Sequence, residues 1–263
     1  MVVVIAFLGL FSAVLVNLLA DNLPRRQGIR QPHCLACGAP RAVGTWLGSL
    51  AILRRQRACP YCGTTRSCRD FLVEFALIVI ALWLYIRDPR AGVFWPALII
   101  AVIFSLIVVI DIEHRLILHV VSIPSGLIIL FLNSLDPSRG FLKSLAGGGA
   151  GFAFVFCMFL LGGLFGRTIA RVRDEANDEV AFGFGDVILG TMLGFTVGWP
   201  GIILALIFAI FAGGIFSLFY MLVMTLRDRY SVFQPIPYGP FLIFGASLVY
   251  FFRDSIVRFG SLG

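Results

Sequence analysis

The chain has 263 residues, of which 59% are hydrophobic and 13% charged, with a mean hydropathy of +0.97. A soluble domain carries roughly 25% charged residues, so this composition excludes a soluble fold with a single anchor and calls for a polytopic membrane protein. The net charge of +7 does not point to nucleic acid, because nearly all 21 basic residues are loop arginines, the distribution that membrane orientation produces.

Eight apolar stretches, 2–20, 71–86, 91–110, 116–135, 141–166, 186–198, 201–226 and 239–252, approach the roughly 20 residues that cross a bilayer core. The expected fold is therefore all-α, with about eight transmembrane helices and one small loop domain. The second and sixth stretches are short. The sixth reads as a half-span, closed by the helix-breaking Trp199-Pro200-Gly201. The first lacks a basic leader, and Ala20-Asp21-Asn22 is a poor cleavage site, so it reads as a membrane helix rather than a secretory signal. Loops 21–70, 111–115, 167–185 and 227–238 hold fifteen of the 21 Lys and Arg, which orients them towards the cytosol. Three parts follow: a first helix over 1–20, a cytosolic loop domain over 21–70, and a membrane domain over 71–263. Glycines at 147–149, 151, 162–163 and 213–214 suit close helix packing. No internal repeat is read.

The loop 21–70 carries nine arginines and five of the six cysteines, and is too short for a dependable core without a staple. Cys34-Leu35-Ala36-Cys37 and Cys59-Pro60-Tyr61-Cys62 are two C-x-x-C knuckles, the pattern that offers four thiolates to a tetrahedral zinc. A glycine follows each, where the backbone has to turn sharply. In a reducing cytosol a metal is favoured over disulfides. The metal would be structural, since four thiolates leave no position for an activated water. A redox dithiol pair is the alternative. Cys68 has no partner at ligand spacing, Cys157 reads as packing in an apolar helix, and His33 is unnecessary as a ligand.

Two aspartates stand at hydrocarbon boundaries. Asp111 ends the apolar run 99–110, and Asp186 sits in Gly183-Phe184-Gly185-Asp186, which runs into Val187-Ile188-Leu189. An ionisable carboxylate there costs several kcal/mol unless water or a partner relieves it, and so marks a functional site. Two convergent carboxylates cannot both ionise easily; one stays protonated while the other can activate water, which is general acid–base hydrolysis without a covalent intermediate. Gly183 and Gly185 would let a substrate strand pass close to the backbone. A solvated helix end is the plainer reading of either aspartate taken alone.

Together these residues resemble the type IV prepilin peptidases, integral-membrane aspartyl proteases of the GxGD class. The resemblance rests on Asn17 with Leu23-Pro24, the double C-x-x-C loop, Arg69 to Glu74, Asp111-Ile112-Glu113-His114-Arg115 with Pro124, Gly183 to Val187, and Pro235 to Phe241. It implies a protease that removes the basic leader of type IV prepilins or pseudopilins at the cytosolic face of the bacterial inner membrane. Many such enzymes then methylate the new amino terminus with S-adenosylmethionine. Carried over, Asp111 and Asp186 are the catalytic pair, Gly183 and Gly185 support them, 71–263 is the peptidase domain, and Cys34, Cys37, Cys59 and Cys62 hold zinc in the loop.

The chain departs from that pattern at Leu118-His119, where the family commonly has Pro-Asp, and at Ile188, where it commonly has lysine. These changes bear on substrate positioning and methylation, and no glycine-rich Rossmann fingerprint marks a methyl-donor site. They also leave open a zinc-containing membrane factor that binds pilins without cutting them. Asp174, Glu175, Asp178 and Glu179 read as an acidic surface for a basic leader or as a solvated loop. Nucleic acid is not an expected partner; membrane lipid is. Which pilin is cut and what oligomer forms are not legible.

Overall fold

The computed structural model describes residues 1–25, 28, 30–136, 139–173, 183–227 and 237–253. Asp174, Glu175, Asp178, Glu179, Pro235 and Ile236 lie outside the described residues. Nine α-helices are described: α1 (Val2–Asn22), α2 (Gly48–Leu53), α3 (Arg69–Arg87), α4 (Ala91–His114), α5 (His119–Ser134), α6 (Phe141–Arg173), α7 (Phe184–Val197), α8 (Gly201–Leu226) and α9 (Gly239–Phe251). All but α2 fall on the eight expected stretches. No strand occurs among the described residues, only two isolated bridges, His33 with Pro40 and Ala58 with Thr65. Val2–Arg25, which runs through α1 and the turn after it, and Ala91–His114, Phe141–Leu164 and Gly201–Leu226 in α4, α6 and α8 are each 24 to 26 residues, long and apolar enough to cross a membrane, and α5, α7 and α9 are shorter apolar helices. The protein is an all-helical, multi-pass membrane protein.

The chain forms two compact units, Met1–Ile110 and Asp111–Gly263. In the first, α1 lies along α3. Gly9 permits that approach, since a methyl there would meet the Ile78 Cα and the Leu77 carbonyl at 2.8 Å. Ala13, Val16 and Ala20 of α1 and Leu77 and Ala81 of α3 are fully buried beside it. The outward faces carry Phe7, Phe11, Phe75 and Val79, exposed apolar side chains suited to lipid.

In the second unit α7 is central, packed by α5, α6, α8 and α9. Its crossing with α6 is built on facing glycines: a methyl on Gly147 would overlap the Gly194 carbonyl, and one on Gly151 would overlap that of Gly190. Apolar association gains little in lipid, so this backbone proximity supplies the van der Waals contact that holds the pair. The last carbonyls of α7 cannot be left bare in an apolar bundle. Asn133 Nδ2 donates to the carbonyls of Phe195 (2.7 Å) and Thr196 (3.3 Å), and Arg139 donates to Thr196 at 3.3 Å. With 14 residues, α7 is about 21 Å long at 1.5 Å per residue, short of a bilayer core.

Gly194→Leu should drive α6 and α7 apart and cost about 1–3 kcal/mol, seen as a lower Tm in detergent. An equal substitution at Gly149, where an added methyl meets nothing, should leave Tm unchanged.

Candidate functional site

Asp111 lies in the last turn of α4, which closes as Arg115 takes a left-handed conformation (φ 52°) and donates its N–H to the Asp111 carbonyl. The Asp111 side chain is buried, 4% exposed, and its Oδ2 has no hydrogen-bond partner among the described residues. It lies against Gly239, the first residue of α9, where an added methyl would overlap the carboxylate. The carboxylate therefore meets the positive end of the α9 dipole.

Asp186 occupies the first turn of α7, and its Oδ2 accepts the N–H of Gly183 at 3.1 Å. This is half a capping box, because glycine has no side chain with which to reciprocate. Each aspartate thus stands at a helix N-terminus. Leu189, on α7 beyond Asp186, also touches the Gly239 position, so Gly239 sits where Asp111, α7 and α9 meet.

Neither glycine of the Gly183-Phe184-Gly185 run takes a positive φ; Gly183 is extended (φ −83°) and Gly185 is helical. What Gly185 supplies is room, since a methyl there would press the Ile117 Cβ at 2.9 Å. His119 stacks on Phe184 at 6.3 Å between ring centroids and 17° between planes, and Phe159 meets the same ring edge-on. The histidine that departs from the family pattern thereby joins the start of α5 to the start of α7. Leu118 caps α5, and Ile188 is half-buried on α7.

In the loop, the four sulfurs of Cys34, Cys37, Cys59 and Cys62 lie within 4.8 Å of one another. Cys34 and Cys62 are 3.7 Å apart, as are Cys37 and Cys59. Tetrahedral zinc with bonds of about 2.3 Å separates its sulfurs by roughly 3.8 Å, so the quartet fits the ion. All six cysteines are free thiols, Cys157 is exposed on α6 rather than packed inside, and Cys68 bonds Arg57 outside the quartet. His33 turns to the Gln31 carbonyl. The Thr64 side chain and backbone pull the Cys62 thiol down to about 6. At Cys37 the Ala39 N–H lowers the value, but desolvation and the neighbouring sulfurs outweigh it and push the thiol up to about 12. The first negative charge comes easily and the last does not, the situation a dication relieves.

The two knuckles repeat one hydrogen-bond pattern. Cys34 N–H donates to Ala39 and Cys59 to Thr64, Gly38 to Cys34 and Gly63 to Cys59, Arg41 to Pro32 and Arg66 to Arg57. Gly38 (φ 74°) and Gly63 (φ 72°) take the left-handed turn that glycine tolerates. The repeat was present in the sequence as C-x-x-C-G-x-x-R at 34–41 and 59–66. Its two arginines converge on buried Asp70, Arg66 through Nε and Arg41 at 3.9 Å, while Arg69 bridges Asp70 and Asp21 at 2.7 Å each. Asn17 of α1 donates to the Asp70 carbonyl at 3.3 Å. Glu74, 1% exposed, accepts the N–H groups of Gly48 (2.5 Å) and Ser49 (2.8 Å), which anchors the start of α2. Sequence reasoning found these acids but not their partners. Glu74→Ala should leave one buried and one half-buried donor unmet, a loss of about 1.5–3 kcal/mol; hydrogen exchange at 48–49 should accelerate at least tenfold while α1 amides stay protected.

Residues 98–218, spanning both aspartates, match the type IV leader peptidase family. The chain is 24% identical over 246 residues to a "Prepilin leader peptidase/N-methyltransferase" of Bacillus subtilis (strain 168), covering 90% of this chain and 89% of that protein. A protein of the same name from Burkholderia pseudomallei (strain 1026b) is 25% identical over 236 residues, covering 88% and 71%. One from Myxococcus xanthus (strain DK1622) is 25% identical over 225 residues, covering 82% and 62%. No solved structure matches. The segment that holds both aspartates thus matches the type IV leader peptidase family, and the relatives aligned over most of the chain are named as prepilin leader peptidases.

Proposed function

We propose that the protein is an aspartyl endopeptidase that removes the leader of type IV prepilins or pseudopilins at the cytosolic face of a bacterial inner membrane, and then N-methylates the new amino terminus. One observation carries the reading: Asp111 is buried with an Oδ2 that has no partner among the described residues, beside Gly239, where α9 meets the helix α7 that Asp186 opens. Two carboxylates that converge on one water do not both ionise readily, so the pair shares a proton and titrates jointly. The ionised member takes a proton from a water held between them while the neutral member hydrogen-bonds the scissile carbonyl. The helix N-termini behind both carboxylates stabilise the negative charge that the pair retains.

The substrate's apolar helix would enter from lipid and unwind near Gly183, since a helical backbone shields the carbonyl that water must attack. Space at Gly183, where an added methyl meets nothing closer than 3.7 Å, supports that position. The quartet Cys34, Cys37, Cys59 and Cys62 would hold a structural zinc, which closes a loop too small for a core of its own. Methylation rests on the relatives' names, with S-adenosylmethionine as donor. The loop cavity lined by arginines is a poor match for its sulfonium cation, and no step is assigned to it there.

With purified protein and a matched prepilin, Asp111→Asn and Asp186→Asn should each lower leader removal, followed by mass spectrometry, by about 10²–10⁴-fold. Full cleavage by both variants would remove the pair from catalysis, and no cleavage by wild type would favour a pilin-binding factor. A further mass of about 14 Da, one methylene, appearing only with S-adenosylmethionine, would establish the transferase. Wild type should carry about one zinc per chain by elemental analysis, and Cys34→Ser with Cys59→Ser close to none; metal-free wild type would return the cysteines to a thiol role.

A further inference from the structure

Between the two knuckles and α2, the first unit holds an open cavity of about 660 Å³. Its lining holds Arg41, Arg55, Arg57 and Arg66, four hydroxyl side chains and two sulfurs of the quartet, Cys34 and Cys59, and no aspartate or glutamate. The arginines are not there only to balance the thiolates. A dication bound by four thiolates carries two negative charges and Asp70 a third, which leaves the cavity positive. Desolvation and the neighbouring Arg66 guanidinium hold Arg41 below its ordinary value, a sign of crowded positive charge.

Arg55 is the telling residue. It follows the cap of α2 with φ 55°, its N–H donating to Ile52 and that of Gln56 to Ala51, a helix ending at which glycine is the usual choice. An arginine held in left-handed backbone needs a compensating reason. Beside it, Ile52 and Leu53 at the end of α2 and Val43 before it are exposed, Leu53 by 81% and Val43 by 75%. The pairing of loop Arg41 and Arg66 with Asp70, and the Gly48 and Ser49 N–H bonds to Glu74, tie this loop to the head of α3, the end of an apolar helix. Exposed aliphatic side chains next to clustered arginines at that level match an interfacial anchor for acidic lipid.

We infer that this arginine-lined cavity binds the headgroup phosphate of an anionic membrane phospholipid, with Ile52, Leu53 and Val43 seated among its acyl chains. The site is separate from the aspartate pair, and the inference does not depend on what that pair cleaves.

The test is native mass spectrometry of the full-length, delipidated protein in detergent, titrated with phosphatidylglycerol or with phosphatidylcholine. Wild type should retain phosphatidylglycerol in preference. Arg55→Gly, whose Tm should match or exceed wild type because glycine suits that backbone, should bind it about fivefold more weakly. Adding Arg57→Gln should weaken it by about fivefold again. Equal retention by Arg55→Gly and wild type would overturn the proposal, as would phosphatidylcholine binding as well as phosphatidylglycerol. Displacement of the lipid by inorganic phosphate at equal concentration would also overturn it, in favour of a site for free anions.

Discussion

The burial of Asp111 against the backbone of Gly239 sets the condition that its unit has to meet. A carboxylate kept 4% exposed, with one oxygen unpartnered among the described residues, would be expelled from an apolar bundle unless dipoles and polar groups stood beside it. The start of α9 gives the dipole, and a residue without a side chain at position 239 gives the space. Asp186 faces the same demand and meets it on its own helix through the Gly183 N–H. The helices must be close enough to bring these two ends together. The glycine-on-glycine crossing of α6 and α7 and the Asn133 and Arg139 caps hold α7 in its central place.

The loop solves a different problem. It has little apolar surface to bury, so its order comes from directional bonds. Two knuckles with identical turns bring four sulfurs together, and their matching arginines close on Asp70 at the head of α3. Asp70 is thus the hinge between a metal-sized thiol cluster and the membrane helices. Glu74, one turn further on, fixes α2, whose end carries the apolar and basic groups that face outward. Buried acids in this unit answer to arginines and backbone amides, whereas Asp111 and Asp186 of the second unit answer to helix ends. That contrast separates acids that order a loop from acids set at the ends of apolar helices.

Much was legible in the sequence because the bilayer imposes a length and a polarity on each segment. All eight apolar stretches became helices, and α7 was read as short from the position of Trp199-Pro200 alone. The C-x-x-C spacing announced the sulfur cluster, since two thiols on one knuckle already fix half of a tetrahedron. The two aspartates stood out because apolar runs do not end on carboxylates without a reason. The sequence by itself thus determined the class of fold, the apolar helices and the cysteine quartet.

Only the tertiary structure decided which groups meet. Gly239 lies 128 positions from Asp111, and nothing local marks its hydrogen atoms as the wall of that carboxylate. The stacking of His119 on Phe184 and the sharing of Asp70 by Arg41 and Arg66 are of the same kind. Apolar periodicity specifies that a helix buries a face, but in lipid nearly every face is apolar. Partner choice then falls to small residues that allow contact and to polar atoms that must find one another, and these pairings exist only once the chain has folded.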